Sequence, residues 1–379
     1  MPVLKPVLKS VLASVPASTP RKLLVRRSSS DRSQFTRRIV QFVFLALNAW
    51  IGIQFLLWAR YFESNGTTLY VSRPAGVDGW LPIAGLMNLK YLFLTHTFPA
   101  IHPAAAVLMG VFVLASLLLK KSFCSWLCPI GTISEYLWKL GRRLFRRSLQ
   151  LPRWLDIPMR GLKYLLLAFF LLIVVSMSAQ ALADFMQAPF GILADVKMLG
   201  FFRNIGVVGI AVMAALVLLS VVIQNFWCRF LCPYGALLGL VSVVSPVKIR
   251  RDKNACIDCA KCAKACPSHL PVDKLIQVRS VECTGCMECV AVCPAEHALQ
   301  FALPPRPVSL NVLPDAASMI ETSASRWKGR ILDPRFVAAA LAILFFGLVG
   351  LARLTDHWQT HLSREVYMQL VPNADTFSH

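Results

Sequence analysis

The chain has 379 residues, 56% of them hydrophobic, with 40 Lys and Arg against 19 Asp and Glu for a formal charge of +21. That apolar content excludes an ordinary water-soluble domain and directs attention to membrane-spanning segments. The basic surplus does not indicate nucleic acid: no aromatic-basic module accompanies it, and a bias of basic loops towards the cytoplasmic face of a membrane accounts for it.

In chain order, residues 1–37 are rich in Ser, Pro and basic groups without hydrophobic periodicity, and read as a disordered basic arm attracted to anionic lipid. Thr36-Arg37-Arg38 faintly resembles a twin-arginine signal, but no small-residue cleavage site follows, so the first apolar run reads as an uncleaved anchor. Apolar runs near spanning length occur at about 39–58, 103–119, 162–183, 205–223 and 336–352, which makes five spans. The second and last, about 17 residues each, reach only about 26 Å at a rise of about 1.5 Å per residue. Another apolar stretch, Trp80–Leu94, contains Pro82, Asn88 and Lys90 and reads as a helix lying on or dipping into the outer surface; counted as a span, it would put a basic loop on the wrong face.

Charge sets the orientation. Met1–Arg38 holds nine Lys and Arg against Asp31, and Lys120–Lys163 holds ten against Glu135 and Asp156, so both belong in the cytoplasm. Arg60–His102 and Asp184–Arg203 are nearly balanced and suit the outside. The amino terminus is then inside and the carboxyl terminus outside, in a bacterial cytoplasmic membrane. The first external loop ends in LTHTFPAIHPAAA, where His96 and His102 read as interfacial capping histidines, with a quinol-headgroup contact, a proton acceptor or a haem or metal ligand as alternatives. Pro99 argues against one helix through both. Asp184, Asp195 and Lys197 in the next external loop read as surface charges, with a quinone pocket as the alternative.

The second run leads into KSFCSWLCPIGT and the fourth into QNFWCRFLCPYGA, an internal repeat. Cys124 and Cys128, like Cys228 and Cys232, are four apart, which places each pair on one face of a helix end, with Pro129 and Pro233 stopping the helix and Gly131 and Gly235 permitting a turn. If the two units pack about a pseudo-twofold axis, four thiolates converge on one inorganic centre, a third Fe-S centre or another metal. The alternatives are redox-active thiols, transient copper binding, and structural buried cysteines. The stretches ending in LGRRLFRR and VKIRRDK both read as membrane-surface helices.

From Cys256 to Pro294 the chain reads CIDCAKCAKACP, a spacer, then CTGCMECVAVCP, so CxxCxxCxxxCP occurs twice. Each copy matches the bacterial ferredoxin ligand run, in which two-residue gaps wrap three thiolates around one 4Fe-4S cube and the fourth ligates the neighbouring cube. Cys256, Cys259, Cys262 and Cys293 are therefore expected on one cluster, and Cys283, Cys286, Cys289 and Cys266 on the other. Two Zn sites or a disulfide framework fit the spacing less well. All 12 Cys fall in the four motifs, none remaining for an extracellular disulfide. A Pro-rich linker at 303–335, a fifth transmembrane helix at 336–353 and a periplasmic tail at 354–379 follow. Trp358 is expected as an interfacial anchor, and His357 and His361 share a helical face, as solvated side chains or a metal pair; the tail is a candidate dock for a periplasmic partner.

Together these motifs resemble the membrane polyferredoxin group that includes NapH, NosR and CcoG, over roughly residues 38–300. NapH is nearest in layout, its core being four spans with the same motifs; this chain departs from it by a fifth span and an outward tail, and no large amino-terminal flavin-binding domain like that of NosR precedes its first span. The resemblance implies electron transfer linked to the quinone pool, as in NapH and NosR, or copper reduction supporting oxidase assembly, as in CcoG. The expected molecule is an α-helical integral membrane protein of about five transmembrane helices: a four-span core at 38–250 and, at 251–302, an inserted cytoplasmic bacterial-type 2x4Fe-4S ferredoxin domain. It passes single electrons between the quinol pool or a cytoplasmic donor and a partner oxidoreductase, its eight ferredoxin cysteines holding clusters and its CxxxCP cysteines forming a third redox site. The rivals are a metal-handling assembly factor that reduces copper at the CxxxCP thiols and a scaffold whose clusters only stabilise a domain. No nucleophile, phosphate loop or acid-base pair is evident.

Overall fold

The computed structural model describes residues 25–27, 31–146, 151–304 and 330–377. The rest of the expected basic arm and most of the 303–335 linker lie outside them. The first half of the chain forms α1 (Ser33–Glu63), α2 (Pro82–Thr95), α3 (Pro103–Leu119), α4 (Ser122–Trp126), α5 (Pro129–Phe145) and α6 (Arg153–Ser176). Then come α7 (Ala179–Gln187), α8 (Pro189–Ile192), α9 (Ala194–Arg203), α10 (Val207–Val222) and α11 (Pro233–Val241). The ferredoxin lobe contributes β1 (Lys248–Arg251), α12 (Lys261–Ala265), α13 (Glu288–Ala291) and β2 (Leu299–Ala302), and the chain closes with α14 (Pro334–Leu354) and α15 (Arg364–Leu370).

Among the described residues three helices are long and apolar enough to cross a membrane: α1, α6 and α14. Their outward faces carry exposed apolar residues such as Ile53, Phe169, Leu172 and Ile343, as lipid contact requires. The last apolar run, expected to be short, forms a helix of 21 residues. The fourth forms α10, only 16 residues long and bent by 87° from α9. The third run does not continue to 183: α6 stops at Ser176, and Ser178 caps α7 by accepting the Ala181 N–H at 3.1 Å. Lys90, the cation inside the expected surface helix, explains that stop. Its ammonium donates to the carbonyls of Val174 and Val175 at 3.0 Å and to that of Met177, satisfying acceptors a helix end leaves open.

Helix α3 is the packed centre, with 11 buried residues that include Ala104, Leu108, Phe112 and Ala115. It runs antiparallel to α2, and Gly85 permits the approach, since a Cβ there would lie 2.9 Å from the Ala105 carbonyl oxygen. Because neighbours shelter it, its 17 residues need not match the full lipid thickness alone.

The bundle has two distinct ends. At one, α1 begins at Ser33, inside the segment expected as an arm, and touches the ferredoxin lobe. Residues 25–27 lie against that lobe too, through an antiparallel bridge of Arg26 to Ala295. At the other end the carboxyl tail folds back, with Tyr367 packed against Trp58 and Phe62 and the Thr360 hydroxyl accepting the His102 N–H. Trp358 is buried in the core cluster around α3 and α14 and is not an exposed anchor. No helix carries His357 and His361. A turn at Thr355–Asp356 ends α14, His357 packs 4.1 Å from the Phe98 ring, and His361 stays exposed beside Asp356, so the two do not share a helical face.

VKIRRDK is not a membrane-surface helix: its Lys248–Arg251 segment is β1, antiparallel to β2 in the register Lys248 to Ala302. Alternate residues of this strand serve two sides, Ile249 filling the core while the Arg250 guanidinium donates to the Ala302 carbonyl.

Candidate functional site

The two ferredoxin loops share a backbone shape. In each CxxCxxC run the residues on either side of the second cysteine have positive φ: Asp258 and Ala260 around Cys259, Gly285 and Met287 around Cys286. This double left-handed kink curls the loop so that its three sulfurs face inward. Two small cavities result. Cys256, Cys259, Cys262 and Cys293 line one; Cys266, Cys283, Cys286 and Cys289 line the other. Each cavity thus takes three cysteines from one run and the last cysteine of the other run, the crossed pattern expected from the sequence.

The CxxxCP repeat departs from its expected local form. Each pair straddles a break between helices: Cys124 lies in α4 and Cys128 caps α5, while Cys228 lies in a π-helical turn, Trp227–Leu231, and Cys232 caps α11. Pro129 and Pro233 therefore open new helices at the first position, where a missing N–H costs nothing. Gly131 supplies clearance, not a turn: a Cβ there would lie 2.2 Å from the Cys124 carbonyl oxygen. The four sulfurs share one region, each of Cys124, Cys128 and Cys228 feeling the charge of Cys232, and all four line one large cleft. Burial pushes the Cys124 thiol up to about 11 and the Cys128 thiol up to about 12, the opposite of an activated nucleophile.

Spacing sorts the metal options. Around one ion, sulfurs about 2.3 Å from the metal sit less than about 4 Å apart. Among the described residues the one group of three or more His, Cys, Asp or Glu ligand atoms mutually within 4.8 Å is Asp78, His102 and Asp195, so no three cysteines are gathered as a mononuclear site needs. A cube, which binds each thiolate through a different iron, holds its sulfurs farther apart.

The CxxxCP layer is fastened to the second ferredoxin loop. Ser125 Oγ donates to the Thr284 carbonyl at 2.7 Å and Trp126 Nε1 to the Gly285 carbonyl at 3.2 Å. Arg37, 1% exposed, joins three elements: both of its Nη atoms pair with Glu135 of α5 at 2.7 Å, and Nη2 reaches Glu288 at 3.0 Å. Gln34 adds a bond to the Cys286 carbonyl at 2.9 Å. Burial alone would raise the Glu135 carboxyl, but Arg37 and Lys139 outweigh it and hold it at about 2. A second buried pair ties α6 to the cluster loop, Lys163 Nζ lying 2.7 and 2.6 Å from the two Glu282 oxygens, with Tyr164 donating at 3.1 Å. Sequence reasoning passed over these residues as basic-loop charges. The available signal was that Arg37 and Lys163 stand at the edges of apolar runs, where an ionisable group needs a partner.

A cleft of about 1510 Å³ runs beside the four CxxxCP sulfurs, walled by apolar residues such as Trp50, Phe112, Phe170 and Phe346. At the opposite end of the bundle Asp195 is buried, not a surface charge. Arg73 Nη2 stands among Asp78 (2.5 Å), Asp195 (2.7 Å) and His102 Nδ1 (3.1 Å), so a guanidinium fills the place a metal would take. His102 offers no free nitrogen to a haem or quinol: Nδ1 lies 3.0 Å from Asp78 and Nε2 3.0 Å from the Gly191 carbonyl. Burial would lower His102, but Asp78 outweighs it and raises it. His96 is exposed and ends α2 in a left-handed conformation. Lys197 donates to the Phe377 carbonyl and Asp184 accepts from Gln180.

Comparison with known proteins follows the same division. A family described as 4Fe-4S binding domain matches residues 101–148 and again 205–252, and a 4Fe-4S dicluster domain matches 248–294. YccM of Escherichia coli (strain K12), named for electron transport, is 49% identical over 343 residues, covering 90% of this chain and 91% of its own. The ferredoxin-type protein NapH of the same organism is 26% identical over 67% of this chain and 84% of its own length. NosR of Pseudomonas aeruginosa, named a regulatory protein, is 32% identical over 42% of this chain and 22% of its own. No solved structure matches.

Proposed function

From the premise that this chain belongs to the membrane-associated ferredoxin-type electron-transport proteins and binds 4Fe-4S clusters, we propose that it carries single electrons between the quinol pool and a partner oxidoreductase. Cys256, Cys259, Cys262 and Cys293 hold one cluster, and Cys266, Cys283, Cys286 and Cys289 the second. Cys124, Cys128, Cys228 and Cys232 hold a third. When bound, such clusters take up and release one electron at a time. The observation that carries the reading is the sorting of the eight ferredoxin cysteines into two crossed sets, with Ser125 and Trp126 of the first CxxxCP motif bonded to the loop of one set. The chain's own residues position these groups: Arg37 and Lys163 clamp the cluster loop, and Trp126, fully buried, seals the layer between lobe and bundle.

The cleft beside the quartet supports a hydrophobic quinol as donor, since it is lined mainly by aromatic and aliphatic side chains and reaches the CxxxCP sulfurs. The chain crosses the cytoplasmic membrane five times, with the amino terminus and ferredoxin lobe inside and the tail outside. Basic loops at the cluster end and the tail packed at the far end support this orientation. Copper reduction at the CxxxCP thiols has less support, because among the described residues no three cysteine sulfurs are gathered as closely as one ion needs. The test is purification with the native partner under anaerobic conditions, followed by EPR during titration with quinol. Cluster signals that rise with added quinol are expected; signals that respond to dithionite but not to quinol would remove the pool from the account.

A further inference from the structure

Lys121 stands between the last residues of α3 and the first CxxxCP cysteine, and is 4% exposed. Among the described residues its Nζ forms no hydrogen bond and no ion pair within 4.0 Å, and it is not sealed from the cleft. The ammonium lies against α11 beside the second CxxxCP pair: a Cβ at Gly235 or Gly239, one turn apart, would sit at ordinary contact distance from Lys121 Nζ, 3.6 Å, and the one at Gly235 would also sit 3.6 Å from Cys232 Sγ. Lys121 lines the same cleft as the four CxxxCP cysteines.

The neighbouring charges do not balance. Lys120 Nζ is 3.3 Å from the Ser242 carbonyl and 3.5 Å from that of Arg279, and Lys163 is paired with Glu282. Lys121 and Lys163 thus share the one carboxylate of Glu282, whose oxygens Lys163 and Tyr164 already bond, while Lys120 meets only carbonyls. The surplus of positive charge lies between the CxxxCP sulfurs and the Cys283 loop, and Lys121 acts on Cys124, Cys228 and Cys283 alike. A region that spends burial on unbalanced cations is built for anionic occupants, and an iron-sulfur cube with four thiolates is one.

We propose that Lys121 is the fixed counter-charge of the centre held by Cys124, Cys128, Cys228 and Cys232, a positioning residue that stabilises the more negative, reduced form and so keeps its reduction potential high. The inference rests on the proposed third cluster. It makes that site depend on a cation that no cysteine motif contains.

The experiment uses the full chain, purified anaerobically, with Lys121→Met, Lys121→Arg and, as a control on a lysine engaged by carbonyls, Lys120→Met. Iron and sulfide are counted and each EPR signal is followed through a redox titration. In Lys121→Met the third signal is expected at a more negative potential, by more than either ferredoxin signal moves, with Lys121→Arg close to wild type. Selective loss of the third centre's iron in Lys121→Met that Lys121→Arg restores also supports the proposal. A Lys121→Met protein with full iron and unmoved potentials overturns it, as does equal loss in the Met and Arg variants, which would mean a steric role. Failure of the underlying reading looks different: wild type itself would lack the third signal, and Lys121 would have no centre to serve.

Discussion

Removing Arg37 should loosen the ferredoxin lobe from the bundle, and the structure gives the size of the effect. The guanidinium is 1% exposed and bonded through both Nη atoms to Glu135, with Glu288 and Gln34 completing its contacts. Glu135 is held at about 2 against an ordinary 4.5. At about 1.4 kcal/mol per pH unit, that difference contributes on the order of 3 kcal/mol at neutral pH. Breaking a buried ion pair from one side costs roughly 3–5 kcal/mol, the same range. Because the folded carboxyl lies below its unfolded value, this stability is present above about pH 4.5 and fades as pH falls towards 2. Arg37→Met should therefore raise the population of the opened lobe about 100-fold. The assay is iron stripping from the purified protein by a chelator at pH 7, which reads that population when opening is fast and reversible. Arg37→Met paired with Glu135→Gln should cost less than the sum of the single changes, because no lone charge then remains buried. A stripping rate within about twofold of wild type for Arg37→Met would refute the reasoning.

Glu282→Gln strands the Lys163 ammonium, fully buried in the fold, and should cost roughly 3–5 kcal/mol, read as lower thermal stability of the visible chromophore; Lys163→Met with Glu282→Gln should recover part of it. At the opposite end, His102 has its pKa raised, so its contribution is complete below about pH 6.5 and is lost as pH rises through the folded value. With the intrinsic base-catalysed rate divided out, the exchange protection of residues 73–80 and 191–196 should fall at alkaline pH, and His102→Phe should abolish that residual dependence. Gly131→Ala drives a Cβ to 2.2 Å from the Cys124 oxygen, a backbone contact that cannot yield. It should displace the first CxxxCP pair, at a cost of roughly 1–3 kcal/mol or more, with loss of about one-third of the iron and the ferredoxin signals retained.

The ferredoxin lobe was legible because its chemistry is written in short local spacings: once each loop kinks on both sides of Cys259 and Cys286, the crossed sets follow. The apolar runs marked the long helices but not their ends. Nothing in residues 162–183 tells that Lys90, distant in sequence, stops α6 at Ser176. Likewise VKIRRDK has the composition of a surface helix and becomes a strand because Leu299–Ala302 pairs with it. Charges were the hardest to read. Arg37, Asp195 and Lys163 look like loop or surface charges until a partner 98, 122 or 119 positions away is brought alongside.

The central claim is that twelve cysteines serve three iron-sulfur centres. Iron and acid-labile sulfide counted on anaerobically purified protein, wild type against Cys124→Ser, test it directly. About twelve iron atoms per chain are expected, four for each of three cubes, falling to about eight in the variant with the loss of one EPR signal. About eight in both proteins, with superimposable spectra, would contradict it.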